Sequence, residues 1–441
     1  MPKSDRARLA ALDVLRTVRE DDAYTNLALP AALERHRLDA RDAAFATELV
    51  SGTIRRQGTY DAVLSACLSR PLAKVDAVVL DILRLGGHQL LGMRVPAHAA
   101  ISTSVELARA RGKTSAAGFV NAVLRKVAGR DLETWLELLA VDTATRHSHP
   151  AWVVEELRRA VGDAEIEALL VADNEPPKVT LVARPGRAER AELPGEPTAY
   201  SPYGVVLAGG NPAAVPTVAE GRAGVQDEGS QLVALLLAGA DLDGADRTWV
   251  DLCAGPGGKS ALLAGLAAER GAGLVAVERQ HHRTRLVARA LAGAEGVTGL
   301  LTADGTAPPL RPGSVDRVLV DAPCTGLGAL RRRPEARWRR RPEDLDTLVP
   351  LQRLLLAAAL ELVRPGGVVV YATCSPVPAE TGEVVTATLR ARPDAALEDA
   401  AAVLPGIPDC AGPLPGTIQL WPHRHGTDAM FLALLRRSLH A

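Results

Sequence analysis

The sequence predicts a multidomain protein with an all-α N-terminal domain, a small α+β connecting domain and a C-terminal α/β domain. Its 441 residues are long enough for several domains of ordinary size, and a hydrophobic content of 47% can supply their cores. Beyond about residue 222, strand-like runs alternate with helical stretches. This alternation is typical of a mostly parallel sheet with helices on both faces.

The N-terminal domain is expected over residues 1–140, where apolar residues recur at helical spacing, as in Leu9, Leu12 and Leu15. The connecting domain is expected over residues 141–221. Its predicted elements are helices at Pro150–Ala160 and 163–172 and a strand at Lys178–Ala183, followed by turns rich in proline and glycine.

The C-terminal domain is expected over residues 222–441. The predicted strands are Thr248–Leu252, Leu274–Glu278, Val297–Leu301, Val315–Val320 and Val368–Ala372. The predicted helices are Ser230–Gly239, Ser260–Ala268, His282–Ala292 and Leu348–Val363. Met430–Leu435 is expected to finish the sheet as an edge strand.

Charge and cysteine content narrow the class of protein. The net charge of −1 gives no overall basic field, so nucleic-acid binding would depend on local patches. The five cysteines are far apart and form no Cys-x-x-Cys pair, which argues against structural zinc and a disulfide framework. No apolar run fits a signal peptide or a membrane span. We expect a monomeric cytoplasmic protein without a metal or a membrane partner.

A glycine-rich turn, Asp-Leu-Cys-Ala-Gly-Pro-Gly-Gly-Lys (251–259), follows the first strand of the C-terminal domain. Its glycines allow the backbone to approach a ligand at a helix N-terminus. Pro256 sets this turn apart from a dinucleotide fingerprint. Glu278 ends the next strand and could bind ribose hydroxyls, and Asp304 follows the third, where it could contact adenine. A glycine turn alone is often only a tight connection, but these successive acids favour a nucleoside cofactor.

Two cysteines follow two other predicted strands. Cys324 lies in Val-Leu-Val-Asp-Ala-Pro-Cys-Thr-Gly (318–326), and Cys374 lies in Val-Val-Val-Tyr-Ala-Thr-Cys-Ser-Pro (368–376). A single free cysteine is usually a small buried hydrophobe. Two of them at the carboxyl edge of one sheet, with turn residues around them and Asp321 nearby, instead indicate accessible thiols in a ligand site.

The chemistry of methyl acceptors distinguishes two kinds of site. An exocyclic amine reacts through its own lone pair and needs acceptors and a stacking aromatic ring, which Asp-Ala-Pro-Cys (321–324) lacks. A pyrimidine ring carbon must be activated by a thiolate that adds to the neighbouring carbon, and a second group must later remove the ring proton. Two cysteines in one pocket suit the second scheme.

The segments DLCAGPGGK, DAPCTGLGALRRRPEARW and YATCS resemble the Nol/Nop/Sun (RsmB-type) family of S-adenosylmethionine-dependent RNA 5-methylcytosine methyltransferases. Residues 225–231 and 422–428 agree with that likeness. Residues 83–91 and 118–125 are similar to the NusB-like domain of bacterial members that modify small-subunit ribosomal RNA. The resemblance covers nearly the whole chain and implies a NusB-like N-terminal domain and a Rossmann-like class I methyltransferase domain.

The resemblance also implies roles for individual residues. Cys374 would be the nucleophile that adds to carbon 6 of cytosine, Cys324 would assist loss of the carbon 5 proton, and Asp321 would contact the ring edge. The implied contacts to S-adenosyl-L-methionine come from Cys253, Ala254, Gly255, Pro256, Gly257, Gly258, Lys259, Glu278, Arg283, Asp304 and Asp321. The family usually has Ala at position 255 and often Asp at position 278, so this chain departs from it at both.

The stretch Arg331–Arg341 contains seven arginines and Trp338. A charge run is usually a solvated face, but one directly after the catalytic loop favours a phosphate-binding wall with a stacking ring. The residues expected to bind RNA are Arg331, Arg332, Arg333, Arg337 and Trp338.

The first hypothesis is a cytosine-5 methyltransferase that acts on 16S ribosomal RNA, with transfer RNA as the rival substrate. A cytosine inside a helix cannot receive a thiolate at carbon 6, so the target must be single-stranded or flipped out. The second hypothesis is an RNA-binding ribosome assembly factor whose methyltransferase fold has lost activity. A third is an amine or protein methyltransferase, which would not need Cys374.

Overall fold

The computed structural model describes residues 5–21 and 23–439, so the expected domain limits at residues 1 and 441 lie outside the described part. The chain forms two compact units. The first comprises the described residues up to Glu155 together with Asp163–Glu175 and Leu330–Arg339, and the second comprises the remainder. Residues 141–221, expected to be one connecting domain, are therefore divided between the two units.

The N-terminal region is all-α, as predicted. Its helices are α1 (Arg6–Glu20), α2 (Thr25–Arg35), α3 (Ala40–Arg55), α4 (Gln57–Cys67), α5 (Ala77–Leu91), α6 (Ala97–Ala110), α7 (Ala117–Val127), α8 (Leu132–Leu138), α9 (Thr143–Arg146), α10 (Ala151–Val161) and α11 (Ile166–Ala172). Aspartates cap several of them: the side chain of Asp39, for example, accepts from the Asp42 N–H. The apolar stripes of α1 to α8 meet in one core that includes Leu49, Ile82 and Leu124.

A small antiparallel sheet follows in the second unit. Its strands are β1 (Thr180–Ala183), β2 (Glu196–Pro197), β3 (Gly204–Val206) and β4 (Ala223–Val225), with the short helix α12 (Pro216–Ala219) before β4. The order is β2-β3-β1-β4. Strand β1 confirms the strand predicted at Lys178–Ala183. The other strands have two or three residues each, too short to show an alternating pattern.

The large sheet is built from β5 (Thr248–Asp251), β6 (Gly273–Glu278), β7 (Val297–Thr302), β8 (Val315–Asp321), β9 (Val363–Thr373), β10 (Ala395–Glu398), β11 (Ile418–Gln419) and β12 (Phe431–Arg437). The remaining helices are α13 (Glu228–Gly239), α14 (Gly258–Glu269), α15 (His281–Leu291), α16 (Ala336–Arg339), α17 (Asp344–Leu362), α18 (Gly382–Ala391), α19 (Ala400–Val403) and α20 (Pro422–His425). Of these, α16 belongs to the first unit.

The strand order of the large sheet is β10-β12-β9-β8-β5-β6-β7, with β11 paired to β12. Strands β5 to β9 are parallel, which confirms the five predicted strands, and β12 is antiparallel to β9. The prediction that Met430–Leu435 forms an edge strand is wrong, because β12 lies between β9 and β10. Strand β10 was not recognised because Ala-Ala-Leu-Glu has little β-propensity.

The order of the strands fixes where a ligand can bind. From β5 the chain moves outward through β6 and β7, then returns to the opposite side of β5 as β8. Such a switch leaves a crevice outside the carboxyl ends of the strands. The glycine turn follows β5, and the two cysteines follow β8 and β9, so all three segments lie at this edge. Among the described residues, no helix is long and apolar enough to cross a membrane.

Candidate active site

The glycine turn is fixed by a buried acid at its start. Asp251 is 1% exposed, its Oδ2 accepts from the Ser260 hydroxyl at 2.6 Å, and its Oδ1 accepts from the Cys253 N–H at 3.2 Å. Burial raises the pKa of Asp251 to about 6. Gly257 has φ of 113°, and a Cβ there would lie 2.5 Å from the Cβ of Ala290, so only glycine fits.

Glu278, at the end of β6, lies against this turn. Its Oε1 accepts from the Gln280 N–H at 2.9 Å, and its Oε2 lies 3.7 Å from Nε of Arg283. Arg283 also donates to the carbonyl of Gly255 at 2.8 Å. A Cβ built on Gly255 would lie only 2.1 Å from Oε2 of Glu278. The backbone at Gly255, which carries no side chain, and the Glu278 carboxylate together fit the ribose of a nucleoside cofactor such as S-adenosylmethionine.

Asp304 follows β7 and is exposed. Its Oδ1 accepts from the Thr306 N–H at 2.9 Å and from the Thr306 hydroxyl at 2.8 Å, and Nε of Arg279 lies 3.9 Å from its Oδ2. The bonds from Thr306 lower the pKa of Asp304. The Asp304 carboxylate therefore stabilises the turn that follows β7 at the carboxyl edge of the sheet.

The structure brings the two cysteines together. The Sγ atoms of Cys324 and Cys374 are 3.4 Å apart, and both residues are partly exposed. The Gly328 N–H donates to the carbonyl of Cys374 at 2.9 Å, which ties the two loops through their backbones. The hydrogen bond with Cys374, together with burial, raises the pKa of Cys324 well above its ordinary value, so this thiol is protonated at neutral pH.

An ion pair lies beside the thiols. Lys259 Nζ is 2.8 Å from Oδ2 of Asp321 and 3.2 Å from the Ser230 hydroxyl. Burial lowers the pKa of Lys259, but Asp321 and, to a lesser extent, Cys374 more than offset it, and the net pKa is raised. The ammonium is thus a fixed cation within electrostatic reach of Cys374, where it favours a thiolate.

Sequence reasoning missed the groups that support the thiol loops. The buried carboxylate of Glu380 accepts hydrogen bonds from Thr325 and Ser375, the residues that follow the two cysteines. Arg340 donates to the carbonyl of Thr325 at 2.9 Å and to that of Cys324 at 3.3 Å. A lone acid in a proline-rich turn and one arginine in a run of seven carry no local signal that could have identified them.

The predicted phosphate-binding wall is wrong for Arg331 and Arg337, which are buried. Arg337 is 0% exposed, and its guanidinium donates to the carbonyl of Ser148 at 3.1 Å and to Oδ1 of Asn174 at 2.8 Å. The indole of Trp338 donates to the carbonyl of Ile54 at 2.9 Å and packs against the helical core. Arg331 is 8% exposed. Arg331 and Arg337 are thus buried in the first unit, whereas Trp338 packs in that unit and stays partly exposed.

Arg332 and Arg333, by contrast, are only partly buried. The guanidinium of Arg333 lies 5.0 Å over the ring of Tyr24, itself an exposed residue. No group of three or more His, Cys, Asp or Glu side chains suited to hold a metal ion occurs in residues 5–21 and 23–439.

Comparisons with known proteins show which family the chain belongs to. The model of the family described as 16S rRNA methyltransferase RsmB/F matches residues 241–436, and that of the NusB family matches residues 5–129. A Mycobacterium tuberculosis protein, provisionally named a methyltransferase, is 52% identical and covers 98% of this chain and 97% of its own length. The ribosomal RNA small subunit methyltransferase B of Pseudomonas putida is 36% identical, over 88% of this chain and 90% of its own.

Solved structures share the fold. The crystal structure of PH0851 superposes with a TM-score of 0.81 and 24% identity, covering 99% of both chains. That of NSun6 from Pyrococcus horikoshii gives a TM-score of 0.56 and 18% identity, covering 66% of this chain and 99% of its own. The family models and the relatives, which match over nearly the whole chain, decide its membership. The chain belongs to the RsmB/F family of S-adenosylmethionine-dependent 16S rRNA methyltransferases.

Proposed function

We propose that the protein transfers a methyl group from S-adenosylmethionine to carbon 5 of a cytosine in 16S ribosomal RNA, through a covalent bond between Cys374 and carbon 6. The observation that supports this most directly is the pair of thiols 3.4 Å apart, at the edge of the sheet that also carries the glycine turn. A methyltransferase acting on an amine would have no use for two thiols in one site.

In the first step the thiolate of Cys374 adds to carbon 6, and the electrons of the C5–C6 double bond move to carbon 5. Lys259 stabilises the thiolate by its charge. Asp321, whose Oδ2 is taken by Lys259, offers its other oxygen to the ring edge. S-adenosylmethionine, held at the glycine turn, would supply an electrophilic methyl group to carbon 5, and the bond between that methyl group and the sulfonium sulfur would break to leave S-adenosylhomocysteine.

In the second step the Cys324 thiol first gives its proton to water, and the resulting thiolate removes the proton from carbon 5. The electrons of that C–H bond restore the C5–C6 double bond, and the bond between carbon 6 and Cys374 breaks. The base then leaves as 5-methylcytosine, and Cys374 is a thiolate again. The raised pKa of Cys324 suits this role, because a weakly acidic thiol is a stronger base once deprotonated.

The methyl donor would be held by the turn at 253–259, with Glu278 at the ribose, Arg283 supporting the turn, and Asp304 near the adenine. Arg332 and Arg333 are the arginines that we propose contact RNA phosphates. Since ribosomal RNA is the proposed substrate, we place the protein in the cytoplasm.

The test is transfer of labelled methyl groups from S-adenosylmethionine to protein-free 16S RNA by the wild type, Cys374→Ala and Cys324→Ala. We expect label on carbon 5 of a cytosine with the wild type. Cys374→Ala should lose activity by a factor of about 10⁴ or more, because nothing else can activate the ring. Cys324→Ala should accumulate protein covalently bound to RNA, because the adduct cannot collapse.

Two outcomes would contradict the proposal. If Cys374→Ala still methylates RNA, Cys374 is not the nucleophile. The hypothesis that the methyl group is transferred to an amine would then be favoured. If the wild type labels transfer RNA but not 16S RNA, the chemistry stands and the substrate is wrong. RNA that contains 5-fluorocytosine separates these cases further, since the fluorine cannot leave as a proton does and should trap wild-type protein.

A further inference from the structure

The carboxylate of Glu380 is the most fully satisfied buried acid near the thiols, and the mechanism above does not use it. The residue is 0% exposed. Its Oε1 accepts from the Thr325 N–H at 2.8 Å and from Gln352 Nε2 at 3.0 Å, and its Oε2 accepts from the hydroxyls of Thr325 at 2.5 Å and Ser375 at 2.6 Å. Hydrogen bonds to a charged acceptor are the strong ones.

These bonds reach both thiol loops. Thr325 directly follows Cys324, and Ser375 directly follows Cys374. Gln352 also donates to the carbonyl of Pro323 at 2.9 Å, so both neighbours of Cys324 are connected to the same acid. The Tyr371 hydroxyl, on β9, donates to the backbone carbonyl of Glu380 at 2.7 Å and fixes the turn that carries it.

We propose that Glu380 is a positioning residue that clamps the loops of Cys324 and Cys374, so that both thiols stay within reach of one base. The inference rests on the function proposed above. Glu380 cannot touch RNA, because it is fully buried and its oxygens are taken. It acts through Thr325 and Ser375. Near-attack geometry is sensitive to shifts of about 1 Å, so a loosened loop would slow the chemical step without changing cofactor binding.

The experiment measures how fast the two thiols form a disulfide in the full-length protein after diamide is added. Two electrons and two protons leave Cys324 and Cys374 and reduce diamide to the corresponding hydrazine, and the bridged peptides are quantified by mass spectrometry. The rate reports how often the sulfur atoms meet, and it requires neither RNA nor a methyl donor. It therefore tests the clamp even if the proposed function fails.

The variants are Glu380→Ala, Glu380→Gln and the control Glu383→Gln, which changes an exposed glutamate in α18. Glu380→Ala should slow disulfide formation by about tenfold or more, and should lower kcat of methyl transfer by about 100-fold with an unchanged Kd for S-adenosylhomocysteine. Glu380→Gln should stay within about threefold of wild type, because its amide oxygen can still accept N–H bonds while its NH₂ donates to the hydroxyls. Glu383→Gln should match wild type.

If folded Glu380→Ala forms the disulfide at the wild-type rate, the clamp is overturned. If that variant does not fold, Ser375→Ala decides, since it removes the hydroxyl that joins the Cys374 loop to Glu380 and to the Thr325 hydroxyl. A slowed disulfide supports the clamp, and an unchanged rate refutes it. If the wild type methylates no RNA but Glu380→Ala still slows disulfide formation, the proposed function is refuted and the clamp is supported.

Discussion

Glycine at position 255 and glutamate at position 278 are expected to depend on each other. A methyl group on residue 255 would lie 2.1 Å from Oε2 of Glu278 and 2.9 Å from Nη2 of Arg283. Real Cβ contacts are longer than 3.0 Å, so about 1 Å of movement is needed. Aspartate at position 278 is shorter by one C–C bond, ~1.5 Å. Aspartate at position 278 would therefore leave the room that a methyl group at position 255 needs.

Gly255→Ala should weaken binding of S-adenosylhomocysteine. The free protein can relieve the clash by moving the Glu278 carboxylate aside, but binding the ribose requires that carboxylate to return. Overpacking of this kind costs roughly 1–3 kcal/mol, which corresponds to an increase in Kd of about 5- to 150-fold. The Gly255→Ala/Glu278→Asp double variant should recover to within about threefold of wild type.

Isothermal titration of the four proteins of this double-mutant cycle gives the coupling between the two positions. The control is Gly118→Ala in α7, which adds the same methyl group where no atom lies within 4 Å. It should leave Kd unchanged. If the effects of Gly255→Ala and Glu278→Asp add to within about 0.5 kcal/mol, the two residues are independent and the steric argument is refuted.

Two further predictions concern buried groups of the site. Because the pKa of Asp251 is raised to about 6 in the folded protein, its ionisation opposes folding: this penalty is absent below pH 3.8 and grows as pH rises to about 6. The free energy of unfolding of the wild type, measured in denaturant, should therefore fall by about 3 kcal/mol over this pH range, and that of Asp251→Asn should not. The same pH dependence in both proteins would contradict this prediction. Gly328→Ala should lower the rate of methyl transfer by about 100-fold without changing the affinity for the cofactor. The reason is that its Cβ would lie 2.0 Å from the carbonyl oxygen of Ala429, so the loop after Cys324 would have to move. Full activity would show that the loop can shift without harm to catalysis.

Periodicity predicted the regular elements because long apolar patterns dominate their burial. The five parallel strands and the helices between them were found to within a few residues, apart from the start of β9. What periodicity could not show is pairing. The C-terminal strand has six apolar residues predicted as a strand, yet its place inside the sheet depends on β10, which has no pattern of its own. An edge position and an inner position look alike from one strand.

Some residues of the site could be predicted from the sequence and others could not. Cys324, Cys374 and the glycine turn were predictable because the carboxyl ends of parallel strands meet at one edge. Glu380 was not, because its importance comes from four hydrogen bonds to residues at 325, 352 and 375, which only the fold brings together. Sequence motifs identify the residues that react, but the residues that hold them in position are found only in the tertiary structure.

The arginine run shows why charge alone misleads. Seven arginines in eleven residues predict a solvated or phosphate-binding face, yet the segment Leu330–Arg339 packs in the helical unit. Burial lowers the pKa of Arg337 to about 9, a shift that the charge of Asp173 partly offsets, so the guanidinium remains charged at neutral pH. Backbone carbonyl oxygens of Ser148 and Asp173 accept hydrogen bonds from it. Burying a guanidinium is tolerated when its N–H groups are satisfied and is costly otherwise.

The two kinds of arginine in this segment should therefore respond differently to substitution. Arg337→Met leaves the carbonyl of Ser148 and the amide oxygen of Asn174 without their donor, and should lower the free energy of unfolding by about 3–5 kcal/mol. Arg332→Ala/Arg333→Ala should leave thermal stability nearly unchanged but weaken RNA binding and reduce its salt dependence by about one to two phosphate contacts. The exposed Arg311→Ala serves as a control for lost charge. If Arg337→Met were stable and bound RNA with a smaller salt slope, its guanidinium would face phosphate after all, and the assignment of this segment to the helical core would fail.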